Sequence, residues 1–295
     1  MAIATNNVPA GDFLTGPTEA WAVVTGASSG IGREFALALA ERGTPVLAVA
    51  RDGERLGALA DEVAHRGGRL EPLSADLSRP EGVESLLAAA AGREVELLVN
   101  NAGAASYGPF VTVSPERETE LLRLNVEAVV ALTHGLLPAM LERGRGGVIN
   151  VASIVAFQPM PYFATYAAGK AFVLSFSEAL AEELRGSGVR VTVVAPGITS
   201  TGFSDTAGSH YPERRFPHLE AQRVVKAALR AHEHGRTLKV VGAFWVFLTI
   251  ADHFTPRAVA RRLMGYLWQP PPGTTTPPRT ETAAEPLEPA THERP

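Results

Sequence analysis

The chain has 295 residues, 45% of them hydrophobic and 20% charged, enough to bury one large core or two small ones. Its formal net charge of -4 and pI near 6.1 leave none of the excess of clustered Lys and Arg that a nucleic-acid partner would demand. It contains no cysteine, which excludes disulfides, thiolate catalysis and thiolate metal sites, and leads us to expect a reducing, cytoplasmic compartment.

Residues 1–18 read as a flexible leader, with neither the basic n-region nor the apolar h-region of a signal peptide, and no apolar run long enough for a bilayer span stands out. From Trp21 onward, short runs rich in Val and Leu alternate with longer helical patterns. The runs are WAVVT (21–25), PVLAVA (45–50), RLEPLSA (69–75), VELLVN (95–100), GVINVAS (147–153), VRVTVVAP (189–196) and TLKVVG (237–242). Helices are expected at 31–42, 53–66, 79–91, 115–142, 164–186 and 219–234. This alternation predicts an α/β fold: a Rossmann-like, doubly wound, seven-stranded parallel sheet with helices on both faces, spanning 19–242. The strands read as continuous apolar runs because helices would cover both faces.

The first strand leads into TGASSGIG (25–32), in which Gly26, Gly30 and Gly32 permit a tight turn and close backbone approach at the start of a helix. Ser28, Ser29 and Ile31 complete this phosphate-cradling loop; glycines serving turn geometry alone are the plainer alternative. An NAD-binding chain usually ends its second strand with an acid for the adenosine ribose. Here Ala50 stands in that place and Arg51 follows, a planar cation suited to a 2′-phosphate, so NADP is expected over NAD. Asp76, after the third strand, is placed either as acceptor for the adenine amino group or as a helix cap. Asn101, Ala102 and Gly103, in NNAG at the end of the fourth strand, are further candidates for the cofactor.

Ser153 follows the fifth strand, and TYAAGK then places Tyr166 and Lys170 four residues apart on one helix face. A nearby ammonium favours the phenolate, so the lysine together with a cationic nicotinamide ring is expected to bring the tyrosine down from about 10 towards 7. Singly, Tyr166, Lys170, Ser153 and Asn125 would each fit ordinary surface or turn roles. Ile154, Val155, Phe157, Met160 and Phe163 are expected either to line an apolar pocket or to pack the core. PGITST (196–201) supplies Pro196, Gly197 and Thr201, either a plain Pro-Gly turn or further candidates for the cofactor, and 202–217 reads as a mobile lid. The extension 243–268 is apolar, then amphipathic, with Thr255 expected as N-cap and Pro256 as the first residue of a helix. A pocket lid or a subunit contact is its plainer reading, and a peripheral membrane contact the alternative. Residues 269–295, rich in proline, are expected to be disordered. The eight histidines are scattered, so no metal site is expected, and no G-x-S-x-G elbow suggests a hydrolase.

Taken together, TGASSGIG, NNAG, Asn125, Ser153, Tyr166 with Lys170, and PGITST resemble the short-chain dehydrogenase/reductase family over residues 20–242. The resemblance implies that Tyr166 donates a proton to a substrate carbonyl, that Ser153 hydrogen-bonds the same oxygen, and that Lys170 holds the nicotinamide ribose while Asn125 steadies a water. It further implies a ketone or secondary alcohol as substrate, rather apolar in kind, and a homodimer or homotetramer. A non-catalytic dinucleotide sensor or scaffold on the same fold is the rival, although it has no need of serine, tyrosine and lysine together.

Overall fold

The computed structural model describes residues 20–201, 203 and 216–270, so the expected leader, nearly all of the expected lid and most of the expected tail lie outside the described residues. Its strands are β1 (Trp21–Thr25), β2 (Val46–Ala50), β3 (Leu70–Ser74), β4 (Val95–Asn100), β5 (Gly146–Val151), β6 (Val189–Pro196) and β7 (Leu238–Val241). All neighbouring strands pair in parallel, in the order β3-β2-β1-β4-β5-β6-β7. The chain starts in the middle, winds outward to β3, returns to β4 beside β1 and winds the other way. The carboxyl ends of β1 and β4 therefore flank a crevice where connections diverge, the place where such sheets bind ligands.

The helices are α1 (Gly30–Ala40), α2 (Gly53–His65), α3 (Pro80–Ala90), α4 (Pro115–Leu122), α5 (Ala128–Arg143), α6 (Ala164–Glu183), α7 (Ala221–Glu233), α8 (Ala243–Phe254) and α9 (Arg257–Leu267). Alternate strand residues point to opposite faces and define two main cores. Val24, Ala48, Val99 and Ile149 meet Phe35 and Leu39 of α1, Leu56 and Leu59 of α2 and Leu229 of α7. Val23, Val49, Leu98 and Val148 meet Leu86 of α3 and Leu132 and Met140 of α5.

Local features depart from the sequence expectation at three points. The helix expected over 115–142 is interrupted by a π-helical turn at Arg123–Glu127, which puts Asn125 in a widened turn. By length and composition, Pro115–Arg143 is also apolar enough to cross a membrane, against the expectation of no such segment; Leu121, Leu132 and Met140 of it are fully buried in the core, while Leu122, Val130 and Leu141 are exposed. Thirdly, Thr255 does not cap α9. Its hydroxyl donates to the Ala251 carbonyl at 2.8 Å and closes α8 instead, while Pro256 holds the N-cap position.

Candidate active site

The glycine turn is held by contact rather than by composition. Gly26 has φ +67°, and a Cβ there would lie 2.8 Å from Asn101 Nδ2 and 2.9 Å from Ala102 Cα, so any side chain would push β1 and β4 apart. A Cβ on Gly32 would strike the Gly26 carbonyl. Thr25 ties the two strand ends together: its hydroxyl accepts from the backbone N–H groups of Asn101 and Ala102, both at 3.0 Å, and donates to the Val99 carbonyl at 3.2 Å. The Asn101 amide donates back to the Thr25 carbonyl at 2.9 Å. No side chain caps α1 and no acid lies in its first turn, so its free N–H groups and positive end face the crevice. These features fit a pyrophosphate.

From this turn a cleft of about 740 Å³ runs across the carboxyl edge of the sheet. At one end it is lined by Ala50, Arg51, Arg55 and Asp76. Arg51 is largely exposed and lies 3.5 Å from Glu120 Oε1, while Arg55 pairs with Asp52 at 3.2 Å. Asp76 is not the cap of α3. It accepts from the Ser78 N–H at 3.0 Å and the Ser78 hydroxyl at 2.7 Å, turning the chain before α3, whose N-cap is Arg79, and it also lines the cleft. Burial would raise its carboxyl, but the Ser78 hydrogen bonds with Arg51 and Arg79 hold it below the ordinary value.

Midway along the cleft, Ser153, Tyr166 and Lys170 converge. Ser153 closes β5 with extended backbone, its hydroxyl accepting weakly from the Val155 N–H at 3.4 Å. Tyr166 and Lys170 project from the first two turns of α6, and the ammonium sits 5.9 Å from the tyrosine ring centre. Lys170 is buried and donates to the Val151 carbonyl at 2.7 Å. The titrations differ from the sequence expectation. Burial pushes the Tyr166 phenol up to about 12, against a hydrogen bond from Ser153 that favours its ionised form, and burial lowers Lys170 to about 8. Removing both groups from water penalises phenolate and ammonium alike. Asn125, in the π turn, donates to the Ala104 carbonyl at 2.8 Å. Its buried Oδ1 has no protein partner and faces Gly103, where a Cβ would stand 2.7 Å from it and 3.4 Å from the Lys170 ammonium. An acceptor oriented this way beside a lysine suits a bridging water.

Beyond the triad the cleft becomes apolar, walled by Val155, Met160, Phe163, Phe203 and Trp268. The rings interlock: Tyr107 with Phe163 at 4.8 Å, Phe163 edge-on to Trp268 at 5.7 Å, and Phe216 stacked on Trp268 at 5.6 Å. Tyr107 donates its hydroxyl to the Trp268 carbonyl at 2.9 Å and so fastens the end of α9 beside the site. Phe157 does not line the cleft; it packs against the core cluster that holds Ala156, Val173 and Leu174.

The sequence model of the short chain dehydrogenases matches residues 20–212. The chain belongs to that family. It is 40% identical over 177 residues to a very-long-chain 3-oxoacyl-CoA reductase of Laccaria bicolor, covering 58% of this chain and 52% of that protein. It is 35% identical over 188 residues to human 17-beta-hydroxysteroid dehydrogenase type 3, covering 62% of this chain and 60% of that one. Thus the chain matches only about half to three fifths of these relatives' length. Among solved structures, a short-chain dehydrogenase from Sphingobium yanoikuyae in complex with NADPH superposes with TM-score 0.72 at 34% identity, over 79% of this chain and 94% of that one.

In this short-chain dehydrogenase the cleft gathers Gly26, Ser28, Ser29, Gly30, Ile31, Arg51, Asp76, Asn101, Ala102, Gly103, Ser153, Tyr166, Lys170, Pro196, Gly197 and Thr201. Gly32 and Asn125 stand just behind its wall. Arg55, Leu77, Ile198 and Trp268 also line it and were not singled out from sequence. Arg55 carried a usable signal, a second cation four residues after Arg51 in the first turn of α2. Trp268 carried none, because it reaches the site from 27 residues past the last strand.

Proposed function

We propose that the protein is an NADP(H)-dependent oxidoreductase that interconverts a ketone and a secondary alcohol on a rather apolar substrate, acyl or steroid-like in kind. The observation that carries this reading is the convergence of Ser153, Tyr166 and Lys170 between a phosphate-fitting glycine turn and an apolar chamber. Arg51 and Arg55 beside Ala50, with no acid at the end of β2, support NADP over NAD.

When bound, the nicotinamide supplies the hydride that reaches the carbonyl carbon. Tyr166 donates its phenolic proton to the carbonyl oxygen, and its raised pKa keeps it protonated for that task at neutral pH. Ser153 hydrogen-bonds the same oxygen and orients it towards the phenol. Lys170 and the Asn125 carbonyl oxygen hold the path by which Tyr166 regains a proton. Met160, Phe163, Phe203 and Trp268 bind the apolar body of the substrate and keep bulk water from the reacting carbon. Phe172 and Phe176, stacked at 5.8 Å on the outer face of α6, together with exposed Leu122, Val130 and Leu141 on α4 and α5, support a subunit contact there in a homodimer or homotetramer.

The test is Tyr166→Phe assayed across a panel of apolar ketones by NADPH absorbance. NADPH binding should persist while turnover falls by about 10²–10⁴-fold. Near-normal turnover overturns the assignment.

A further inference from the structure

The helix pair α8–α9 carries an apolar surface that the catalytic reading does not use. In α8, Phe247, Ile250 and Phe254 follow one another at i, i+3 and i+7, so they share one helix face, and they are 67%, 56% and 80% exposed. In α9 the same happens at i, i+4 and i+7 with Val259, Leu263 and Tyr266, the last 79% exposed. Only two residues, Thr255 and Pro256, separate the helices. The opposite sides are anchored. Trp245 of α8 is buried against Gly197 and Phe216, and Ala260, Met264 and Trp268 turn α9 towards the substrate chamber. Residues that normally make a core therefore stand outward on a pair of fixed helices, as at an interaction surface.

Charge decides the occupant. Residues 243–270 hold three arginines, Arg257, Arg261 and Arg262, all exposed, against the single acid Asp252, in a chain whose overall charge is -4. A second copy docked face to face through the apolar stripe would leave Arg257, Arg261 and Arg262 of each copy at or behind the rim with one aspartate to answer them, so it would give the positive charge of the patch no partner. Residues 271–295 offer one leucine and no aromatic residue to match the patch. An anionic bilayer satisfies both features: acyl chains receive the phenylalanines and aliphatics, lipid phosphates receive the arginines, and Tyr266 suits the boundary between them. We infer that α8 and α9 dock this protein onto an anionic lipid surface, with the substrate chamber behind them.

Flotation of the full chain with vesicles tests this independently of any reaction. The protein should float with phosphatidylcholine vesicles that contain phosphatidylserine, about tenfold more than with phosphatidylcholine alone at low ionic strength, and added salt should weaken it. The triple variant Phe247→Gln, Ile250→Gln, Phe254→Gln should lose flotation about tenfold or more while binding NADPH and melting as the parent does. Arg261→Glu with Arg262→Glu should abolish the preference for phosphatidylserine. Three results would each overturn the inference. They are no flotation with the anionic vesicles, equal flotation of parent and triple variant, and a parent dimer in sedimentation that the triple variant turns into monomer.

Discussion

Tyr166 and Lys170 illustrate how burial reverses an ordinary pairing. In water the two groups titrate close together; in this cleft the phenol stands at about 12 and the ammonium at about 8, so the lysine loses its proton first. Because the buried ammonium is the disfavoured form, its charge is complete well below pH 8 and disappears as pH rises through that value. The kcat/KM of ketone reduction should accordingly be flat near pH 6–7 and fall on the alkaline side with a midpoint near 8. In Lys170→Arg, whose guanidinium stays charged, the rate should be lower but this alkaline limb should vanish. A limb unmoved by the substitution would assign it to another group. At the other end of the cleft, the proposed NADP reading predicts that Arg51→Asp lowers the NADPH/NADH ratio about tenfold or more, since an acid would replace the cation offered to a 2′-phosphate. An unchanged ratio would remove Arg51 from cofactor selection. Many of the residues that line the cleft were legible in the sequence, because Gly26 and Ser153 belong to contiguous motifs at strand ends and Tyr166 with Lys170 to one on a helix. Their titration was not, because desolvation depends on what the fold packs around a side chain, and neither the Val151 carbonyl under Lys170 nor the aromatic wall beside Tyr166 appears in local spacing.

At the scale of elements, the strands were legible to within about two residues, as β1, β4 and β6 show, because parallel strands between helix layers must be apolar on both faces. The π turn at Arg123–Glu127 was not, since a shift in backbone hydrogen bonding leaves the side-chain periodicity on either side nearly intact. The end of α9 was equally hidden, for its place beside β4's outgoing loop rests on the Tyr107–Trp268 hydrogen bond, made across 161 residues. That bond and the ring stack hold Trp268 where it should limit substrate size. Trp268→Ala removes a large apolar wall, worth about 1–3 kcal/mol to a substrate that fills the chamber. The expected result is a KM raised about tenfold or more for bulky apolar ketones, with little change for small ones that never reach the wall. Equal losses for both classes would show that Trp268 only supports the fold.

For the molecule as a whole, the acid limit of stability should lie with His232, far from the reaction. It sits fully buried on α7, its Nδ1 2.9 Å from the Thr192 hydroxyl on β6, between two elements that close one end of the sheet. Burial first, and repulsion from Arg190 second, lower its pKa to about 3, from 6.5 in an exposed chain. As pH falls below about 6.5, the unfolded chain takes up this proton and the folded one does not, so stability drops until pH 3, where both are protonated. The slope from one such group approaches about 1.4 kcal/mol per pH unit. Carboxylates, Glu96 raised by burial among them, begin to titrate towards pH 5 in parent and variant alike, so the difference between the two isolates the histidine. Urea unfolding at pH 7, 6 and 5 should show the midpoint falling with pH in the parent. In His232→Gln, which keeps a polar partner for Thr192, the midpoint should be lower at pH 7 but fall less over the same interval. Parallel slopes in parent and variant would show that protonation of His232 does not govern acid unfolding.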